Sequence, residues 1–552
     1  MILLALVVGA CGGLAAVAFN RGLTALFNWL EPFRGEPWAF VLPGIGALLS
    51  AVFLHRAIRN SADNGVPNLI HAVSRQGGRM RSRSILSPLV SSCLTIGSGG
   101  SAGPEAPVVV SGGAIGSGIA RLFALNDRQQ ITLVGCGAAG AIASIFNAPI
   151  SGLVFAVEVI LGEWSSLNII PIAIAAVAGT EVSRTLRGNQ IAFDHRLFDI
   201  GLPDIIASAG LAVVAGLASV LLTRMLYRIH RLSGKTGGPV WLRAAVGGCA
   251  VGFIGMALPV VLGEGYHAID AMIAGHFTPG LAIVAAATLA KILATALTLG
   301  SGGSGGIFAP SLVIGSLAGL TYHRALTMFW PSVEWIEEGC FALLGMAGLI
   351  SGMLQAPLTG IFLIVEITGG YEAILPLIIV STVSTTICHF LEPASFYMKD
   401  LVERGQLLRP GTDARVLSDM QVGELLETDC TVVSPGMRLR QFIEVIKRSR
   451  RNYFPVIDPE SQRFLGLVRL DDIRPYLFDP LLYDAVVMGQ IMDSQVATAG
   501  PEDDLNEVLQ HMDAARLFSM PVVHQGRFLG MISKATLLDR YRRELMVQTH
   551  WR

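Results

Sequence analysis

From Met1 to about residue 391, long apolar stretches alternate with short polar joints. They cover residues 1–20, 40–54, 135–161, 169–178, 205–222, 242–262, 281–299, 341–365 and 374–387. About 20 apolar residues in a helix cross a bilayer, and inside it every backbone donor and acceptor must be satisfied by the protein itself. The expected fold is therefore a polytopic all-α membrane protein. Several stretches fall short of a full span and are crowded with glycine, which predicts broken and tilted helices around a cavity. Only 15% of the 552 residues are charged, against 52% hydrophobic and a mean hydropathy of +0.57. A soluble protein would be about a quarter charged. The deficit is confined to the front of the chain, because charges return to soluble density from about Arg404. The opening stretch has no basic flank before it and many apolar segments after it, so it reads as a first helix and not a signal peptide.

The same early region repeats. Residues 94–107 (Leu-Thr-Ile-Gly-Ser-Gly-Gly-Ser-Ala-Gly-Pro-Glu-Ala-Pro) align without gaps on residues 297–310 (Leu-Thr-Leu-Gly-Ser-Gly-Gly-Ser-Gly-Gly-Ile-Phe-Ala-Pro). Further on, Gly140, Asn147, Pro149, Gly152 and Glu158 match Gly348, Gln355, Pro357, Gly360 and Glu366 in the same order. Two homologous halves are implied, about 1–200 and 201–400, with inverted topology expected. That is the architecture of transporters whose site lies at the repeat interface.

Each glycine-rich run is an apolar segment, a Gly/Ser loop and then a proline opening a new apolar segment. Proline suits the first turn of a helix, so helices are expected to begin near Pro107 and Pro310. Glycine lets backbone N–H groups approach a ligand closely, and helix N-termini add free donors and partial positive charge. Two such ends meeting inside a bilayer would hold a small anion. Close helix packing by small residues is the structural alternative. Glu105 stands out as an ionisable residue within an apolar stretch, which marks a functional candidate. Placed at an anion site it can occupy that site as a tethered anion, and so act as a gate. Capping of the following helix is its structural alternative.

These residues resemble the CLC family of chloride channels and proton-coupled anion exchangers, over about residues 1–400. Gly305-Gly-Ile-Phe-Ala-Pro310 matches that family's most specific motif, Gly103-Pro-Glu-Ala-Pro107 its gate motif, and Asp63-Asn-Gly-Val-Pro67 a third. The resemblance implies that Asn64, the backbone around Gly306, Ile307, Phe308 and Ala309, Ala106 on the gate side, and the hydroxyl of Tyr397 surround the anion. It also implies a homodimer with one pore per subunit, and cytosolic termini. The cluster Arg75, Arg79, Arg81 and Arg83 in one short connection places that connection on the cytoplasmic side of a plasma or bacterial inner membrane.

Three departures from the pattern bear on function. Asn64 replaces the usual serine, which is expected to alter selectivity among chloride, nitrate, fluoride and bicarbonate. Pro104 replaces an arginine. The position of the exchangers' inner proton-transfer glutamate holds Val159, beside a retained Glu158, and valine carries no proton. Channel-like chloride transport with weak or no proton coupling is therefore expected, with a proton-coupled antiporter as the alternative.

From about residue 419 the pattern changes to short strands and amphipathic helices, and it too repeats. Phe454-Pro-Val-Ile457 with Phe464-Leu-Gly-Leu-Val468 parallels Met520-Pro-Val-Val523 with Phe528-Leu-Gly-Met-Ile532. The resemblance is to a tandem pair of cystathionine-β-synthase (CBS) domains, an α/β module, over 419–480 and 484–545 behind a linker at 401–418. Such pairs often bind adenine nucleotides. The candidate positions are Asp472, beside Arg469, and Ser533, followed by Thr536, although neither half carries the complete Ser/Thr–Asp pair. Dimer stabilisation is the structural alternative. No other cofactor is expected. A net charge of −1 with no basic aromatic patch gives nucleic acid no footing. Seven scattered cysteines (11, 93, 136, 249, 340, 388 and 430) show no disulfide or metal spacing, and the eleven histidines are dispersed. No metal site or enzyme is expected.

Overall fold

Helices dominate the first 404 residues because their apolar runs must satisfy their own backbone. The computed structural model describes residues 1–58, 65–188, 193, 198–235, 237–404 and 422–550, with side chains to 542 in the last segment. The chain divides into two units, Met1–Leu407 and Leu408–Arg552.

The first half of the first unit holds α1 (Ile2–Leu30), α2 (Leu42–Ile58), α3 (Val66–Arg75), α4 (Ser87–Gly97), α5 (Glu105–Leu122), α6 (Asp127–Phe146), α7 (Pro149–Phe155) and α8 (Ser166–Arg187). The second holds α9 (Leu202–Lys235), α10 (Val240–Ala257), α11 (Tyr266–Ile273), α12 (Leu281–Gly300), α13 (Phe308–Phe329), α14 (Glu338–Leu354), α15 (Pro357–Thr368), α16 (Ile374–Leu391) and α17 (Phe396–Glu403). Eight helices among the described residues are long and apolar enough to cross a bilayer, and shorter apolar pieces such as α15 lie between them. This is a multi-pass membrane body.

Two apolar runs that read as continuous are broken. The 135–161 run turns at Asn147 and the 341–365 run at Gln355, both left-handed at the ends of α6 and α14 (φ 55° and 53°). A left-handed residue stops a helix, and Pro149 and Pro357 then open the next. The gate helices also start earlier than their prolines suggest. α5 begins at Glu105 and α13 at Phe308, so Pro107 and Pro310 are third residues, still within the turn where a missing N–H costs little.

The halves pack alike. A Cβ added to Gly112 would lie 2.2 Å from the carbonyl oxygen of Gly137, where α5 crosses α6. The repeat equivalents Gly315 and Gly345 bring α13 onto α14 in the same way. Small residues thus serve close packing here, as the structural alternative held for part of the glycine content.

A reciprocal pair of carboxylates joins the halves. Glu158 accepts from the amides of Leu358 (3.2 Å) and Thr359 (2.7 Å) and from the Thr359 hydroxyl (2.6 Å), at the start of α15. Glu366 accepts from the amides of Ile150 (2.9 Å) and Ser151 (2.6 Å) and from the Ser151 hydroxyl (2.6 Å), at the start of α7. Each carboxylate satisfies first-turn donors that have no helical partner and complements the positive end of the other half's helix. The residues after Phe155 do not continue as an α-helix. Ala156–Leu161 is π-wound, whereas α15 is α-helical throughout.

In the second unit, β1 (Tyr453–Ile457) pairs antiparallel with β2 (Phe464–Arg469), and β3 (Ser519–His524) with β4 (Arg527–Ser533). Each hairpin takes a parallel bridge from the segment before it, Val433 to Val456 and Ala499 to Val522. Lead-in segments cross over: Glu427 pairs with Met531 of the second half, and Asp493 with Leu467 of the first. Each half opens on a short helical turn, 3₁₀ at Val422–Leu425 and α at Met488–Ile491. Most of the 401–418 linker and residues 419–421 lie outside the described residues.

Candidate anion and gate site

The two glycine-rich runs meet face to face. Gly103 and Gly306, equivalent positions of the repeat, exchange both backbone hydrogen bonds at 2.7 Å in an antiparallel bridge. Equivalent hydroxyls brace the bridge. The Ser101 amide donates to Thr298 Oγ1 (3.1 Å), and the Ser304 amide donates to Thr95 Oγ1 (3.2 Å). Reciprocal contacts of this kind are the mark of a two-fold relation, here between the halves of one chain.

The bridge sets the first turn of α5 beside that of α13. Glu105, the first residue of α5, is buried. Its Oε2 accepts from the Ala309 amide at 3.3 Å, in the first turn of the opposite half's helix. Oε1 accepts from the hydroxyl of Tyr266. The carboxylate sits on the N-terminus of α13, where unsatisfied donors and the helix dipole favour negative charge. Gly103 makes room for it, because a Cβ there would lie 2.2 Å from Glu105 Oε2 and 2.9 Å from the Ala309 nitrogen. Gly103→Ala is accordingly expected to expel the carboxylate and to remove most of the pH dependence of anion flux, measured in liposomes across external pH.

Two cavities flank this residue. One of about 360 Å³ is lined by Gly65, Ala106, Pro107, Ser304 and Gly305, with His55 among its walls. The other, of about 220 Å³, is lined by Pro104, Phe146, Arg187, Glu264 and Tyr266. The residues before and after Glu105 thus face different spaces.

Around the gate, Ile307 and Phe308 are buried at the head of α13. The Phe308 ring lies 5.5 Å from Phe146 and 6.0 Å from Phe155. Tyr397 is buried on α17, which packs against α3, and it lies within electrostatic reach of Glu105. Asn64 lies outside the described residues. Val159 is buried in the π-wound segment, which packs against α3, while Glu158 is committed to α15.

Tyr266, Glu264 and Lys291 were not among the sequence candidates. Lys291 is buried, and its ammonium donates to the carbonyls of Val261 and Gly263, both at 3.0 Å. A lysine inside the apolar run 281–299 carries the same signal that singled out Glu105. No sequence pattern marks Tyr266.

In the tail, Asp472 is paired with Arg469 at 2.8 Å. Ser533 Oγ donates to Glu427 Oε1 at 2.5 Å, Thr536 donates to the same oxygen, and Arg451 engages Oε2. Burial pushes the Glu427 carboxyl up, but the hydrogen bonds from Ser533, Thr536 and Arg451 outweigh it and hold the group below the usual carboxylate range. The candidate hydroxyls therefore rest on a carboxylate of the chain itself.

The chloride-channel family model described as "Voltage gated chloride channel" matches residues 46–389, and the CBS domain model matches 422–479 and 488–543. A ClcB-like chloride channel protein of Ralstonia nicotianae is 29% identical over 416 residues, covering 73% of this chain and 96% of that protein. The H(+)/Cl(-) exchange transporter ClcA of Yersinia pestis bv. Antiqua is 29% identical over 414 residues, covering 72% of this chain and 86% of that one. A eukaryotic CLC transporter of known crystal structure shares the fold with a TM-score of 0.65, at 16% identity and over 97% of both chains. The chain belongs to the voltage-gated chloride channel family and carries two CBS domains behind its membrane body.

Proposed function

We propose that the protein exchanges chloride, or a similar monovalent anion, for protons across a membrane, with Glu105 as the gate on which both act. One observation carries this: the Glu105 carboxylate occupies a first-turn amide of α13, the place an anion would take. An anion can displace it, and a proton can discharge it. The amides around Gly306, Ile307, Phe308 and Ala309, those near Ala106, the Tyr397 hydroxyl and the Asn64 amide are assigned to the anion path.

Antiport is favoured over the channel-like expectation by the relative named as an exchange transporter, aligned along most of its length. The expectation of weak coupling rested on Val159. Since Glu158 is held by α15, the inner part of the proton route is assigned to water and not to a carboxylate. Liposomes with an imposed chloride gradient test this. Proton movement against a pH gradient supports antiport, and chloride flux without it contradicts antiport.

Asn64 is assigned to selectivity. Asn64→Ser is expected to shift relative permeability towards chloride, read from reversal potentials against nitrate, fluoride and bicarbonate. An unchanged ranking removes Asn64 from that role.

The working assembly is assigned as a homodimer in a lipid bilayer, with a pore in each subunit and the tail on the cytoplasmic side, where the arginine cluster 75–83 also lies. An adenine nucleotide is assigned to Ser533 and Thr536 in the tail, where it must displace Glu427. Glu427→Ala is therefore expected to tighten ATP or AMP binding by about tenfold, for a removed competitor of roughly 1.4 kcal/mol. Calorimetry on the full chain reads it, and equal heats for both proteins count against the site.

A further inference from the structure

We propose that Glu264 and Tyr266 form the outer end of the proton route, passing protons between the 220 Å³ cavity and the Glu105 carboxylate. This rests on the antiport assignment above and names residues that assignment does not use.

The phenol of Tyr266 donates to Glu105 Oε1, and Tyr266 and Glu264 line one cavity together with Arg187. Glu264 precedes α11 by two residues, on a loop that Lys291 pins through the carbonyls of Val261 and Gly263. Its carboxylate lies within electrostatic reach of Glu105, Lys291 and Arg187. A second carboxylate beside a buried gate is unfavourable by repulsion and desolvation, and the two cations offset that cost. Holding the loop does not need Glu264, because Lys291 does so through backbone carbonyls. The carboxylate is left facing a polar-walled cavity large enough for several waters.

A phenol hydrogen-bonded to a carboxylate relays a proton without becoming charged. A proton on Glu264 passes, directly or over cavity water, to a lone pair of the Tyr266 oxygen. As that O–H bond forms, the original Tyr266 O–H bond breaks and its proton bonds to Glu105 Oε1. Glu264 ends ionised, Glu105 neutral and Tyr266 unchanged, and nothing is oxidised or reduced. The neutral Glu105 no longer competes as an anion for the Ala309 amide. Running backwards, the same steps discharge a proton to the cavity.

The test uses the full-length protein in liposomes, with proton and chloride movement recorded together under a chloride gradient. Glu264→Gln is expected to lower the ratio of protons to chloride moved by roughly a hundredfold, the low end for loss of a proton-transfer group. Tyr266→Phe keeps the ring and should produce the same loss, while Glu264→Asp should recover most of the ratio. An unchanged ratio in both Glu264→Gln and Tyr266→Phe overturns the relay. So does an equal fall of proton and chloride movement in Glu264→Gln and Glu264→Asp alike, which marks a structural role. If the unmodified protein itself moves no protons, antiport fails first and the relay falls with it.

Discussion

Replacing Glu105 with glutamine or alanine is expected to abolish the pH dependence of flux and to leave anion permeation intact or faster. The carboxylate holds a first-turn amide of α13 through a charge-assisted contact. An anion at a helix N-terminus is worth about 1–2 kcal/mol in a partly buried setting. Removing that competitor should raise anion occupancy at low concentration by roughly fivefold to thirtyfold. The pH dependence should vanish with it, since alanine and glutamine do not titrate, and proton movement should stop because no carrier remains between the two cavities. Anion flux and proton flux in the same liposomes read both effects. Unchanged pH dependence removes Glu105 from the gating role.

The second large effect is expected at the reciprocal carboxylates. Glu158→Ala strands two amides and a hydroxyl at the head of α15, and Glu366→Ala does the same at α7. Hydrogen bonds to charged groups contribute about 1.5–3 kcal/mol each, and partly buried donors left without an acceptor cost more than the average bond. A loss of roughly 3 kcal/mol or more per variant is expected, read as earlier thermal unfolding in detergent. The comparison separates two roles for Glu158. As a cap, its loss lowers stability to about the same extent as loss of Glu366 and leaves the proton-to-anion ratio of folded protein unchanged. A lost ratio at unchanged stability would make Glu158 the inner proton carrier.

Much of this body was legible in the residues because its physics is repetitive. Apolar length marked the helices, and the matched runs at 94–107 and 297–310 located the bridge where the halves meet. Glu105 was visible as a charge in the wrong solvent. Helix ends were not, since Asn147 and Gln355 break their runs through backbone conformation, which hydropathy does not register. The gate's partners were hidden for another reason. Tyr266 and Ala309 lie far from Glu105 in sequence, and nothing local requires them to meet. Pattern pointed to weak proton coupling because it weighed one position, Val159, whereas a proton path belongs to a connected set of groups and water.

A planar bilayer holding the purified protein at equal chloride on both sides, with a pH difference imposed, tests coupled exchange most directly. With anion gradients absent, only a protein that moves protons can generate a voltage, and loss of that voltage in Glu105→Ala ties the proton movement to the anion gate. A reversal potential displaced from zero in the direction set by the pH gradient, and returning to zero in Glu105→Ala, is the predicted result. A reversal potential that stays at zero for the unmodified protein at every pH difference would contradict it.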